Sequence, residues 1–169
     1  STQSRSSAAS DVYKRQTIPF IDLLSQRRRI GATIDAALME VAASGQYIMG
    51  PAVGAFEQAL CDFGQAPHAL SCSNGTDALV LLMMAWNVGP GDAVFCPAFT
   101  FAATAEVVAL AGATPVFVDI RPDTWTMDPD HLRAAVAAVE REGVLKPRAV
   151  IAVDLFGQPA DYPALSAIT

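Results

Sequence analysis

The chain has 169 residues, of which 52% are hydrophobic, and its formal net charge is −6. This length suffices for a domain with its own core, and the acidic balance lacks the basic field that binding to a nucleic-acid backbone requires. The least charged stretch, residues 97–118, is interrupted by Glu106 and by a Gly-Ala-Thr breaker. We therefore predict no membrane span, no nucleic-acid partner and a cytoplasmic protein.

Residues 1–16 are polar, rich in serine and without the apolar core of a signal peptide. We expect a disordered tail or an artefact there, and a folded portion over residues 17–169. The odd number of cysteines, Cys61, Cys72 and Cys96, has no paired spacing and predicts buried thiols of a reducing compartment. His68 and His131 lack a ligand pattern, so we predict no metal site.

Two helices begin the folded portion. Residues 18–24 are predicted to be extended, and apolar residues then recur at helical spacing over residues 26–43. A loop over residues 46–51 leads to a second helix, with Pro51 near its start and Gly64 at its end.

From residue 69 onward, short apolar runs alternate with helical patterns. Predicted strands cover residues 69–72, 93–96, 114–119 and 149–154. Predicted helices cover residues 75–87, 102–111 and 129–142, and another begins at Tyr162. This alternation is typical of an α/β fold with a mostly parallel sheet and flanking helices, in which ligands bind at the carboxyl ends of the strands.

The turn after the first predicted strand has the composition of an anion site. Ser73 and Asn74 are candidate N-caps, Gly75 allows close approach to the backbone, and Thr76 places a hydroxyl beside unpaired helix N–H groups. A phosphate there would accept two or three charge-assisted bonds of about 1.5–3 kcal/mol each. An ordinary capped helix fits the same spacing equally well.

Phe101 follows the second predicted strand, one helix and one strand after Thr76. If their strands are neighbours, the two residues lie close together, and Phe101 can face a planar ring. A phosphorylated aromatic ligand such as pyridoxal 5′-phosphate (PLP) fits such a site. Core packing is the alternative for Phe101, and Asp119 and Asp154 at strand ends are either site groups or turn caps.

Six motifs in order resemble one enzyme family. They are Ile-Pro-Phe-Ile-Asp-Leu from residue 18, Gly-Gln-Tyr-Ile-Met-Gly-Pro from 45, Ser-Asn-Gly-Thr-Asp-Ala-Leu from 73, Gly-Asp at 91, Thr-Phe-Ala-Ala-Thr from 100 and Phe-Gly-Gln-Pro-Ala-Asp from 156. The dipeptide Phe-Glu at 56, between the second and third of these motifs, also fits the series. The series resembles the DegT/DnrJ/StrS family of PLP-dependent sugar aminotransferases. The resemblance implies the N-terminal part of the large domain of the aspartate aminotransferase fold, PLP fold type I.

The resemblance also implies roles for residues of this sequence. Gly75, Thr76 and Asp77 would hold the cofactor phosphate through backbone N–H groups and the threonine hydroxyl. Phe101 would stack on the pyridine ring.

For the substrate, the resemblance implies that the 46–51 loop, with Tyr47, Met49 and Gly50, lies near the nucleotide-sugar site at a homodimer interface. The motifs are most similar to members that aminate a UDP-linked 3-keto uronic acid with glutamate as amino donor, a step of polysaccharide biosynthesis.

No catalytic residue is predicted within the chain. The family's Schiff-base lysine and the aspartate that pairs with the pyridine nitrogen are expected beyond Thr169, and neither Lys14 nor Lys146 is placed to substitute. We therefore expect a catalytically incomplete N-terminal fragment.

Three alternatives remain open. The first is a sugar 3-dehydratase of the same family, in which histidine replaces the lysine. The second is a non-catalytic phosphate-ligand-binding or regulatory domain. The third, a nicotinamide-binding domain, is disfavoured because no Gly-x-Gly-x-x-Gly follows any predicted strand.

Overall fold

The structure is a computed structural model that describes residues 20–169. The tail predicted at residues 1–16 lies outside the described residues. The chain divides into two compact units, one ending at Ser71 and the other covering Cys72–Thr169. Each unit is described by itself.

The first unit contains the two predicted helices. Helix α1 covers Leu23–Ser44, begins where the Asp22 carboxylate accepts a bond from the Ser25 N–H at 2.9 Å, and ends at Gly45, whose φ of 68° suits glycine. Helix α2 covers Pro51–Gly64, with proline at its first position. Both helices confirm the periodic pattern, although α1 starts three residues earlier than predicted.

The strand predicted at residues 69–72 is wrong. This segment is irregular, and within the described part of the chain no strand pairs with it. It is held instead by the Glu57 carboxylate, which accepts bonds from the Ser71 N–H at 2.8 Å and the Ser71 hydroxyl at 2.7 Å. A four-residue apolar run does not form a strand without a neighbour to accept its hydrogen bonds.

The second unit is a three-stranded parallel sheet with helices on both faces. Its elements in chain order are α3 (Gly75–Ala85), β1 (Asp92–Pro97), α4 (Ala103–Leu110), β2 (Thr114–Val118), α5 (Pro129–Glu142), β3 (Lys146–Val150), a 3₁₀ turn (Leu155–Gly157) and α6 (Tyr162–Ser166). The strand order is β2-β1-β3, and both pairs are parallel. The sheet therefore has one strand fewer than the sequence predicts.

Central strand β1 is buried on both faces, as its apolar composition predicts. Val94 and Cys96 pack with Val107 and Val108 of α4 on one face. On the other face, Ala93 and Phe95 belong to a cluster with Leu132 of α5 and its neighbours. These two layers hold the carboxyl ends of the strands in place.

The third strand is displaced from its predicted position. The apolar run predicts residues 149–154, whereas β3 covers Lys146–Val150. Pairing decides its bounds, because Asp92 of β1 lies opposite the first residue of β3 and Phe95 lies opposite its last. The apolar run marks the half-buried end of the strand and the segment that follows it.

Of the three cysteines predicted to be buried, only Cys96 is confirmed as buried. Cys96 is buried, and burial raises the pKa of its thiol to about 11. Cys61 is half-buried, and Cys72 is exposed because its segment is not part of a sheet. Among residues 20–169, no helix combines the length and the apolar character needed to cross a bilayer.

Candidate functional site

One cavity lies at the carboxyl edge of the sheet in the second unit, with a volume of about 480 Å³. Three segments supply its polar and aromatic lining: the start of α3, the loop between β1 and α4, and the chain after β3. Those residues are Gly75, Thr76, Thr100, Phe101, Asp154 and Tyr162, together with Thr104 in the first turn of α4. We call this the edge cavity.

The start of α3 is organised by its own side chains. Asn74 is the N-cap, and its Oδ1 accepts a bond from the Asp77 N–H at 2.9 Å. The Asp77 carboxylate in turn accepts bonds from the Ser73 hydroxyl and, at 3.1 Å, from the Asn74 amide. Asp77 is not among the residues that line the edge cavity. Its carboxylate and N–H hold the turn together.

This arrangement leaves donors available at the edge cavity. In residues 20–169, neither the N–H groups of Gly75 and Thr76 nor the Thr76 hydroxyl has a hydrogen-bond acceptor. A Cβ added at Gly75 would meet no heavy atom within 4 Å, so the space in front of this backbone is open. Unpaired N–H groups at a helix start and an adjacent hydroxyl form an anion-binding arrangement.

Phe101 lines the same cavity as Thr76, although residues 69–72, the strand on which the predicted juxtaposition depended, are irregular. Its side chain is 76% exposed, so it is not packed in the core of this chain. Its carbonyl oxygen accepts a bond from the Thr104 N–H at 3.1 Å, which ties the loop to the first turn of α4. The exposed ring is therefore presented from an anchored backbone.

The chain after β3 adds a carboxylate and a phenol. Asp154 Oδ1 accepts bonds from the Tyr162 hydroxyl at 3.0 Å and from the Ala160 N–H at 2.9 Å. The hydrogen bond to Asp154, with smaller effects of burial and of the negative charge, raises the pKa of Tyr162. The sequence does not single out Tyr162 as a site residue, since local patterns indicate only a helix start there.

Asp119, the other strand-end carboxylate, does not line the edge cavity. Its Oδ1 accepts a bond from the Ile120 N–H at 2.8 Å, and its Oδ2 lies 3.9 Å from Nδ1 of His131. Of the two roles that the sequence allows for Asp119, site group or turn cap, the structure therefore supports the turn cap. Within the described residues, no group of three metal-binding side chains comes together.

Three aromatic residues cluster near the loops at the carboxyl edge. The ring centroid of Phe99 lies 5.5 Å from that of Trp125 and 6.4 Å from that of Phe156. Trp125 and Phe156 have φ angles of 62° and 56°, which bulky residues rarely adopt. No local sequence pattern predicts that these three residues lie close together.

The predicted substrate residues all lie in the first unit, between α1 and α2. The Tyr47 hydroxyl donates to the Ala42 carbonyl at 2.9 Å, and Met49 is 74% exposed with a φ of 50°. Gly50 is the N-cap of α2, and a Cβ there would overlap the carbonyl oxygen of Gln46. Only glycine fits this position without a backbone shift.

A larger hollow of about 630 Å³ runs along β3 and is lined by Trp86, Arg148 and others. Across the described residues no strand pairs with β3 on this side, so the hollow is the open edge of the sheet. The Arg148 guanidinium is already engaged by the Trp86 carbonyl and lies 4.0 Å from the Asp92 carboxylate. The edge cavity is therefore the better candidate for a ligand site.

Comparison with known proteins identifies the family. Residues 28–169 match the family described as the DegT/DnrJ/EryC1/StrS aminotransferase family. UDP-2-acetamido-2-deoxy-3-oxo-D-glucuronate aminotransferase from Pseudomonas aeruginosa is 50% identical over 151 residues, 89% of this chain and 40% of the relative.

Two solved structures are also similar. The crystal structure of a DegT DnrJ EryC1 StrS aminotransferase from Brucella abortus has a TM-score of 0.88 at 52% identity, covering 90% of this chain and 41% of that one. DesV from Streptomyces venezuelae has a TM-score of 0.80 at 35% identity, covering 89% and 39%. The chain thus spans about two fifths of the length of these relatives, and it belongs to the DegT/DnrJ/EryC1/StrS aminotransferase family.

Proposed function

We propose that the whole protein containing this chain is a PLP-dependent aminotransferase that transfers an amino group to a keto sugar of a nucleotide sugar. The observation that carries the proposal is the edge cavity, where unpaired donors of Gly75 and Thr76 and the exposed ring of Phe101 line one space. Membership of an aminotransferase family supports it.

The residues present fit PLP. Its phosphate matches the two N–H groups and the Thr76 hydroxyl, and the positive end of the α3 dipole favours the negative charge. Its planar ring matches the exposed face of Phe101. In this proposal Asp77 contributes by holding the turn through Ser73 and Asn74, with Gly75 and Thr76 as the direct donors. When bound, PLP supplies the electron sink that amino-group transfer needs.

For the substrate, we propose a UDP-linked 3-keto uronic acid with glutamate as amino donor, in polysaccharide biosynthesis. The support is the 50% identity to the P. aeruginosa relative and the activity that its name states. A second relative, from Acidithiobacillus ferrooxidans, is named for a UDP-linked 3-dehydro sugar and is 35% identical. Tyr47, Met49 and Gly50 are the proposed substrate-binding residues.

We also propose a cytoplasmic homodimer, in which residues 17–169 form the N-terminal portion of the PLP-binding large domain. Exposed apolar side chains on α1, including Leu38 at 63% exposure, support a covered surface. The Schiff-base lysine and the aspartate paired with the pyridine nitrogen belong to the rest of the whole protein. The chain alone is therefore proposed to be inactive.

The test uses the full-length protein loaded with PLP. It is incubated with the UDP-linked 3-amino uronic acid and 2-oxoglutarate, and glutamate and keto sugar are measured by mass spectrometry. The proposal expects both products in equal amounts. PLP binding with no amino transfer would instead indicate the dehydratase or a binding protein, and loss of the 3-hydroxyl from a UDP-linked sugar that retains it would separate those two.

A further inference from the structure

Asp154 is the only carboxylate among the described residues that line the edge cavity. It follows β3, whereas the unpaired donors of Gly75 and Thr76 belong to the start of α3. The wall beside it is formed by Ile151, Ala152 and Val153, which offer no side-chain hydrogen-bonding group. A negative side chain in such surroundings needs a function or a structural reason.

The carboxyl group is held in one orientation by two donors. The Ala160 N–H and the Tyr162 hydroxyl both donate to Oδ1, at 2.9 and 3.0 Å. Within the part of the chain that the structure describes, Oδ2 has no hydrogen-bond partner. One oxygen therefore orients the group, and the other can accept a bond from a ligand.

The chemistry of the ligand follows from the charge. A carboxylate repels phosphate and carboxylate groups and accepts hydrogen bonds from hydroxyl or amino groups. An amino donor must present a neutral amine to react, and an adjacent carboxylate would hold its ammonium form. A sugar hydroxyl has no such conflict.

We propose that Asp154 is a specificity-determining residue whose Oδ2 accepts a hydrogen bond from a hydroxyl of the keto sugar, with Tyr162 as the positioning residue that orients the carboxyl group. This inference rests on the proposed function. It assigns sugar recognition to the β3 side of the edge cavity and phosphate recognition to the α3 side.

The experiment measures the two half-reactions of the full-length enzyme separately. Asp154→Asn keeps Oδ1 and puts an N–H donor in place of Oδ2. We expect kcat/KM for the keto-sugar half-reaction to fall roughly tenfold or more, the loss typical of a charge-assisted hydrogen bond, with the amino-donor half-reaction little changed. Tyr162→Phe is expected to lower the same half-reaction by a smaller factor.

Asp161→Asn is the matched control. Asp161 caps α6 by accepting a bond from the Ala164 N–H at 3.1 Å and does not line the edge cavity, and asparagine is also a good cap. We expect this variant to leave both half-reactions unchanged.

A binding measurement is independent of turnover. Calorimetry on the cofactor-free protein compares the UDP-linked amino sugar with UDP. We expect Asp154→Asn to weaken binding of the amino sugar and to leave UDP affinity unchanged, since UDP lacks the uronic acid unit and its hydroxyls.

Equal losses in both half-reactions together with a lower Tm would show a purely structural role and overturn the inference. Unchanged kinetics and sugar affinity in both variants would overturn it as well. If Asp154→Asn fails to fold, Tyr162→Phe decides by the same half-reaction comparison. A wild-type enzyme that transfers no amino group would reject the proposed function itself. The wild-type enzyme is therefore assayed before any variant.

Discussion

Valine in place of Thr76 removes one hydroxyl from the proposed phosphate site and keeps the β-branched shape of the side chain. The N–H groups of Gly75 and Thr76 remain as donors, so binding should be weakened and not abolished. A hydroxyl bonded to a charged phosphate contributes about 1.5–3 kcal/mol. We therefore expect Thr76→Val to weaken cofactor affinity by about 10- to 150-fold.

The assay is a titration of the cofactor-free full-length protein with pyridoxamine 5′-phosphate, which carries the phosphate and cannot bond covalently to a lysine. Pyridoxamine, which lacks the phosphate, is the ligand control. The affinity for pyridoxamine should be the same in wild type and Thr76→Val, so the loss should appear only when the phosphate is present. Thr76→Ser, which retains a hydroxyl, should bind nearly as well as wild type.

Equal affinity of wild type and Thr76→Val for pyridoxamine 5′-phosphate would refute the reasoning, because it would place the phosphate away from this hydroxyl. A matched variant, Thr124→Val, removes a hydroxyl that lies 3.0 Å from the Thr126 hydroxyl, outside the edge cavity. It should leave both affinities unchanged. Thermal unfolding of the cofactor-free variants checks that each is folded.

Three further predictions concern stability and reactivity. Gly50→Ala should destabilise the full-length protein by about 1–3 kcal/mol, because the added methyl group overpacks against backbone. Chemical denaturation measures the free energy of unfolding, and an unchanged midpoint would contradict the prediction. Hydrogen bonds from the Ser71 N–H and hydroxyl lower the pKa of Glu57 in the folded protein. The Glu57 carboxylate therefore stabilises the fold at pH values above its unfolded pKa, and this stabilisation is lost as the pH falls through the folded pKa. Glu57→Gln should therefore flatten the stability profile on the acid side, and a parallel profile would argue against the pair. Thiol titration at neutral pH should modify exposed Cys72 quickly and buried Cys96 only on unfolding. Mass spectrometry of the labelled peptides identifies which cysteine reacts first, and labelling of Cys96 before Cys72 would contradict the prediction.

Local chemistry explains why the helices were predictable. Proline at the start of α2, proline at the start of α5 and the asparagine before α3 act within a few residues of where they stand. The choice between Ser73 and Asn74 as cap was not predictable, because both can accept from the same N–H groups. In the structure Asn74 accepts that bond and Ser73 donates to Asp77.

Strands were less predictable because a strand exists only through its partner. The run at 69–72 is apolar enough to be one, yet it bonds through Ser71 to Glu57. The bounds of β3 follow its pairing with β1 and differ from those of its apolar run. The prediction that Cys72 is buried was wrong for the same reason.

The sequence by itself determined the alternation of helices and strands from residue 75 onward, the capped turn at which α3 begins, and the family to which the chain is similar, since each depends on residues close together along the chain. Only the tertiary structure decided that Asp154 and Tyr162 join Thr76 and Phe101 around one cavity. The physical reason is the strand order β2-β1-β3: because β3 pairs beside β1, loops far apart in the sequence end at the same edge of the sheet.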